Sequence, residues 1–294
     1  MSLRDNWLAA VDRKGSFLCA GVDPADYSMG RGEKGLPKGC GRRDWTMQYI
    51  HTIAPHCAAI KPNLQYWKNM GDDAFLLDMV ALAHDLGMVY IEDAKLADIS
   101  DTNEAGIFYT AKRADAVTFS PFAGNIEEAA GQAKKIGIGL ISMVLMSNPG
   151  FKKEKMKLAP VDWGEIEFYP EQVTRDVVEI GDHIYIPQYI QLAHTADEFG
   201  VDGIVIGAPS PKNHITSEEV GKARVCVSDE MLVLVPGIGA QQGEAETIYK
   251  WFDPKNVIVN VGRGLMFPNG SNSTSEQQID AAKHYRDMLN SIVG

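Results

Sequence analysis

The feature that most restricts the fold is a rhythm of short apolar runs, each followed by a helical pattern. Eight such runs recur, at 17–24, 57–63, 88–91, 116–121, 139–144, 203–209, 232–237 and 257–263. Patterns of helical period fall at 4–13, 44–56, 72–87, 103–113, 125–136, 188–199, 217–227, 242–252 and 275–291. Runs apolar on both faces belong to strands covered by helices on both sides, the mark of a parallel sheet. Eight strand–helix units fit a closed (β/α)8 TIM barrel; an open doubly wound sheet is the competing arrangement. The length of 294 residues permits two domains, yet barrels of this kind run as one, so residues 1–294 are expected to form a single domain. Residues 151–186 break the rhythm with Pro160, Trp163 and Pro170, and read as a partly irregular insertion after strand five. Residues 25–43, rich in Gly, Lys and Arg, read as a mobile solvated loop, with a cover over a site as the alternative.

Chemically loaded residues stand where these runs end: Asp23, Lys61, Asp93, Lys95, Ser120, Gly237 and Arg263. In a barrel, the C-terminal strand ends carry the active site. The third run leads into Glu92-Asp93-Ala94-Lys95-Leu96-Ala97-Asp98. Side chains alternate along a strand, so Val89, Ile91, Asp93 and Lys95 share one face. A face that begins apolar thus ends in a carboxylate and an ammonium, with Asp98 in the loop beyond. Such charges are costly to bury unless paired, which marks a functional site more than a solvated salt-bridge cluster. After the last two strands come Pro236-Gly237-Ile238-Gly239-Ala240-Gln241 and Val261-Gly262-Arg263-Gly264. Glycine turns there let the backbone approach an anion, and Arg263 adds a forked donor, so the pair reads as a phosphate site rather than two helix caps.

A net charge of −11 and a pI near 5.1 argue against nucleic acid and anionic membrane as partners. Cys19, Cys40, Cys57 and Cys226 form no CxxC pair, which fits a reduced, cytoplasmic protein. Residues 1–7 lack a signal-peptide core, and no apolar run reaches bilayer length. The glycosylation-type triplets at 269–271 and 272–274 are read as a polar loop. None of the seven histidines forms an HExxH pair or another convincing ligand cluster, so no metal site is read from them.

Taken together, Asp23, Lys61 in Ile-Lys-Pro-Asn, Asp93-Ala-Lys95-Leu-Ala-Asp98-Ile, Ser120-Pro-Phe, Ser147-Asn-Pro-Gly, the Pro236–Gln241 turn and Gly262-Arg263 resemble the orotidine 5′-phosphate decarboxylase family. The matching pieces keep the family's order and span residues 18 to 266. The resemblance implies cofactor-free decarboxylation of orotidine 5′-phosphate to UMP. Lys61, Asp93, Lys95 and Asp98 are then a tetrad of alternating charge, with Lys95 donating a proton to C6 of the pyrimidine. It also implies a homodimer that supplies Asp98 and Thr102 across its interface. Substrate contacts fall to Asp23 (ribose), Ser120 (pyrimidine), Thr102, Pro236 and Gly239, and to Gln241, Gly262 and Arg263 at the phosphate. Leu96-Ala97 replaces a more polar or glycine-containing pair, and Ser120-Pro121-Phe122 stands where many longer members have Asn-Pro-Tyr. Three rivals are a Mg2+-dependent 3-keto-gulonate-phosphate decarboxylase, for which an acid in place of Lys61 is expected, a Schiff-base aldolase, and a regulatory phosphate-binding barrel.

Overall fold

A computed structural model describes residues 2–239 and 244–293. Eight parallel strands close into a barrel: β1 (Leu18–Val22), β2 (Ala59–Pro62), β3 (Val89–Leu96), β4 (Ala116–Phe119), β5 (Gly139–Leu145), β6 (Gly203–Ile206), β7 (Leu232–Pro236) and β8 (Val257–Val261). Each pairs with its neighbours in sequence, and β1 closes the ring on β8 through Leu18 opposite Val259. The (β/α)8 expectation holds and the open sheet is excluded.

Period-two alternation divides the strands between two cores. Cys19, Ala59, Val89, Ile91, Ala116, Ile141, Val205, Leu234 and Ile258 fill the barrel interior. Leu18, Ala20, Ile60, Tyr90, Val117, Phe119, Ile204, Val233 and Val259 face the surrounding helices. The N-terminal helix α1 (Leu3–Lys14) plugs the lower mouth. Ser2 and Asp5 start it with a reciprocal capping box, and Leu3, Trp7, Ala10 and Val11 join the interior cluster. Gly139 makes room for the plug, since a Cβ there would sit 2.6 Å from a methyl carbon of Leu3.

Three stretches differ from their sequence reading. The insertion is ordered: Leu158–Val161, Val178–Ile180 and His183–Pro187 form an antiparallel sheet with the last strand central. Lys155, buried at its base, pairs with Glu219 and donates to the His214 carbonyl at 2.7 Å, which fastens the insertion to the barrel. Strand β3 runs on through Leu96, and the helix after it spans Ser100–Ala111 rather than 103–113. The 25–43 loop carries two tight 3-10 turns, Tyr27–Met29 and Gly32–Lys34, and is pinned where Leu36 donates to the Ala25 carbonyl at 2.8 Å. No described helix is long and apolar enough to cross a membrane.

Candidate active site

Asp93 is the centre of the upper rim. Its interior parity continues that of Val89 and Ile91, and its carboxylate is shared. Oδ2 takes the Lys61 ammonium at 2.5 Å and Oδ1 takes that of Lys95 at 2.5 Å. Thr118, inward-facing on β4, donates its hydroxyl to Oδ1 at 3.0 Å. Lys61 and Asp93 are only 5% and 7% exposed, so these charges face each other largely without water. Burial by itself raises the Asp93 pKa, but the adjacent charges of Lys61 and then Lys95 outweigh it and hold the carboxyl well below its usual range. Burial likewise disfavours the Lys61 ammonium, and Asp93 and then Asp23 reverse this, keeping it charged beyond the ordinary lysine range.

Lys95 gets its position from a local break in pairing. Glu92 lies opposite Val117 and Leu96 opposite Phe119, so β3 spends extra residues against β4. The backbone absorbs them with a left-handed φ of +50° at Lys95, whose N–H donates to the Thr118 hydroxyl at 2.9 Å. Bulges of this kind re-aim a side chain at a strand end. Thr118 therefore holds both the Asp93 carboxylate and the Lys95 backbone. Sequence reasoning passed it over, although its inward parity on β4 was available.

The Asp93–Lys61 pair has a defined pH window. A depressed carboxyl pKa adds stability above the unfolded value of 3.8, which is lost as pH falls through the folded value. A raised lysine pKa adds stability below 10.5, which is lost as pH rises through its folded value. Both contributions are complete between these limits. Asp93→Asn is thus expected to cost about 3 kcal/mol at neutral pH, as for breaking a buried pair from one side. Urea unfolding from pH 6 down to 2 is expected to show the deficit shrinking with acid; a pH-independent deficit contradicts the pairing.

Beside this cluster, over β1, β7 and β8, lies a cavity of about 390 Å3. Asp23, Pro236, Gly239, Gly262 and Arg263 line it. Asp23 joins cavity to cluster: it accepts from the Asn63 N–H at 3.1 Å, and its pKa is raised by burial against the opposing pull of Lys61. Tyr66 and Asn260 line the cavity as well, together with Arg31 and Lys34 from the loop read as solvated. A flexible-looking composition hid the last two. Gln241 lies outside the described residues.

Asp98, Thr102 and Ser120 do not line this cavity. Asp98 is exposed, and its carboxylate accepts only the N–H of Ile99, at 2.9 Å, among the hydrogen bonds of the described residues. The segment is nonetheless fixed. Asn125 donates to the Asp98 carbonyl at 2.7 Å, and Asn103 to Gln132 at 2.9 Å. Ser120 sits at the end of β4, its N–H bonded to the Leu96 carbonyl at 2.7 Å. Ile99, Phe108, Tyr109 and Phe122, on the segments that follow β3 and β4, are exposed apolar side chains. Of the tetrad, then, one chain brings together three members and presents the fourth outward.

A curated decarboxylase of orotidine 5′-phosphate from Cupriavidus metallidurans is 27% identical to this chain, over 99% of it and 98% of the relative. One from Halorubrum lacusprofundi is 27% identical over 99% of each. The solved OMP decarboxylase of Leishmania donovani superposes with a TM-score of 0.71 at 21% identity, covering 100% of this chain and 99% of that one, and so shares the fold. A Methanocaldococcus jannaschii enzyme crystallised with the inhibitor BMP matches at a TM-score of 0.61 and 22% identity, over 93% and 98%. Residues 16–164, which include Asp23, Lys61, Asp93, Lys95 and Asp98, match the family model described as orotidine 5′-phosphate decarboxylase / HUMPS. This chain belongs to the orotidine 5′-phosphate decarboxylase / HUMPS family.

Proposed function

We propose that the protein decarboxylates orotidine 5′-phosphate to UMP in pyrimidine biosynthesis, using fixed charges instead of a cofactor. The observation that carries this reading is the Lys61–Asp93–Lys95 row. Both oxygens of Asp93 carry an ammonium partner, and two positive charges in direct contact with the carboxylate repel a divalent cation from it. Lys61 stands where a Mg2+-dependent relative is expected to carry an acid. Lys61 is also held protonated by Asp93 and so is a poor Schiff-base nucleophile.

The reaction breaks the bond between C6 and the carboxylate. CO2 leaves, and the electron pair remains in an in-plane orbital at C6 with no adjacent π system to accept it. Asp93 lies beside the departing carboxylate and disfavours it. Lys95 stabilises the developing carbanion and then transfers a proton to C6. Lys61 neutralises Asp93 and holds its orientation. One charge contact at about 4 Å and an effective dielectric near 20 contributes roughly 4 kcal/mol. Enzymes supply about 8–23 kcal/mol, so the cluster acts with binding energy from the distant phosphate. Asp23 binds the ribose, Ser120 the pyrimidine, and Pro236, Gly239, Gln241, Gly262 and Arg263 the phosphate end.

The exposed Asp98 and the exposed apolar side chains Ile99, Phe108, Tyr109 and Phe122 on the segments after β3 and β4 support a homodimer in which Asp98 and Thr102 complete the partner's site. We further propose one barrel domain spanning the chain, and a cytoplasmic location, supported by four free cysteines, three of them buried. Loss of orotidine 5′-phosphate absorbance in excess EDTA tests the activity. Full turnover is expected, and turnover restored only by added Mg2+ rules the reading out.

A further inference from the structure

We propose that Arg31 and Lys34 form a cationic clamp that closes on the substrate phosphate from the β1 side, held in place by Glu33 docked on Ser271. This deepens the decarboxylase reading and rests on it for the identity of the ligand.

The cavity has two walls. One is the floor expected from sequence, with Gly237, Gly239, Gly262 and Arg263 at the ends of β7 and β8. The other is the loop after β1, which contributes Arg31 and Lys34. Three cationic side chains thus converge on one cavity of a chain whose net charge is −11, against a single lining acid, Asp23. Arg31 and Lys34 are exposed at the cavity mouth, and neither makes an ion pair among the described residues, so both charges are available to a ligand. Unneutralised cations facing a glycine-lined floor suit a multiply charged anion such as a phosphate monoester.

The local backbone explains the arrangement. Lys34 donates its N–H to the Arg31 carbonyl at 3.1 Å, closing a 3-10 turn. In such a turn side chains three apart eclipse, so Arg31 and Lys34 point together while Glu33 is rotated away. Glu33 accepts the Ser271 N–H at 3.0 Å and the Ser271 hydroxyl at 3.4 Å, which ties the turn to the loop after β8. Gly270 permits this docking. Its φ is +80°, and a Cβ there would meet a Glu33 carboxylate oxygen at 2.1 Å. Arg-Gly-Glu-Lys is therefore a unit of two cations for the ligand and one acid for anchorage.

The test is calorimetric binding of UMP, uridine and ribose 5-phosphate to the wild type, to Arg31→Ala/Lys34→Ala and to Glu33→Ala. The double variant is expected to lose UMP affinity tenfold or more, on the scale of one charge-assisted hydrogen bond, and to keep its affinity for uridine. Glu33→Ala, which retains both cations but frees their turn, is expected to lose several-fold for UMP only. Arg31→Lys is expected to recover part of the loss. UMP affinity within twofold of wild type in the double variant overturns the clamp, as does an equal loss for uridine, which a general distortion produces. If the wild type binds ribose 5-phosphate but not UMP, the pyrimidine assignment fails. The clamp is then decided by whether the double variant loses ribose 5-phosphate affinity to the same extent.

Discussion

Replacing Lys95 with alanine is expected to lower kcat on orotidine 5′-phosphate by about 10^5-fold or more, while UMP still binds. Two losses combine in that figure. Removing the ammonium beside C6 forfeits roughly 4 kcal/mol of charge stabilisation, close to a thousandfold. Removing the proton donor forfeits a further factor of about 10^2–10^4. Neither loss requires unfolding. The Lys95 side chain is 40% exposed, and Asp93 keeps Lys61 and Thr118 as partners. A single-turnover assay on the stably folded variant checks the prediction. Near-native turnover removes Lys95 from the reaction, and with it the assignment of the row.

Asp98→Ala is expected to cost about 10^2–10^3 in kcat, again from one charge in the cluster, yet to leave thermal stability within about 0.5 kcal/mol. The contrast with Asp93→Asn is the informative part. Asp93 is buried between two lysines, so its loss strands the Lys61 charge. Asp98 makes no ion pair among the described residues and is exposed, so little in its own chain depends on it. A residue dispensable for its own subunit's stability but needed for turnover is what a shared site requires. Equal effects on stability and rate contradict that role.

The barrel was legible because its signal is redundant. Eight buried strands and the helices between them repeat one pattern, and boundary errors of a few residues leave the topology unchanged. Asp93 and Lys61 were legible for a related reason: parity along a strand carries a side chain inward whatever the loops do. What escaped depended on contacts distant in sequence. Thr118 looks like any strand threonine until β4 is paired with β3. Asn260 and Tyr66 become cavity residues only when the barrel closes. The loop at 25–43 has the composition of a solvated segment, and only the docking of Glu33 on Ser271, 238 residues away, reveals its order. The insertion's three-stranded sheet was hidden by its prolines and by strands as short as three residues.

Mixing tests the central claim most directly. Lys95→Ala and Asp98→Ala subunits, each nearly inactive alone, are combined in equal amounts and allowed to exchange. In a two-fold dimer with sites built across the interface, half the dimers are mixed, and each mixed dimer holds one site with both residues intact. About a quarter of wild-type activity is therefore expected to return. A mixture no more active than its two components contradicts a site completed by the second subunit.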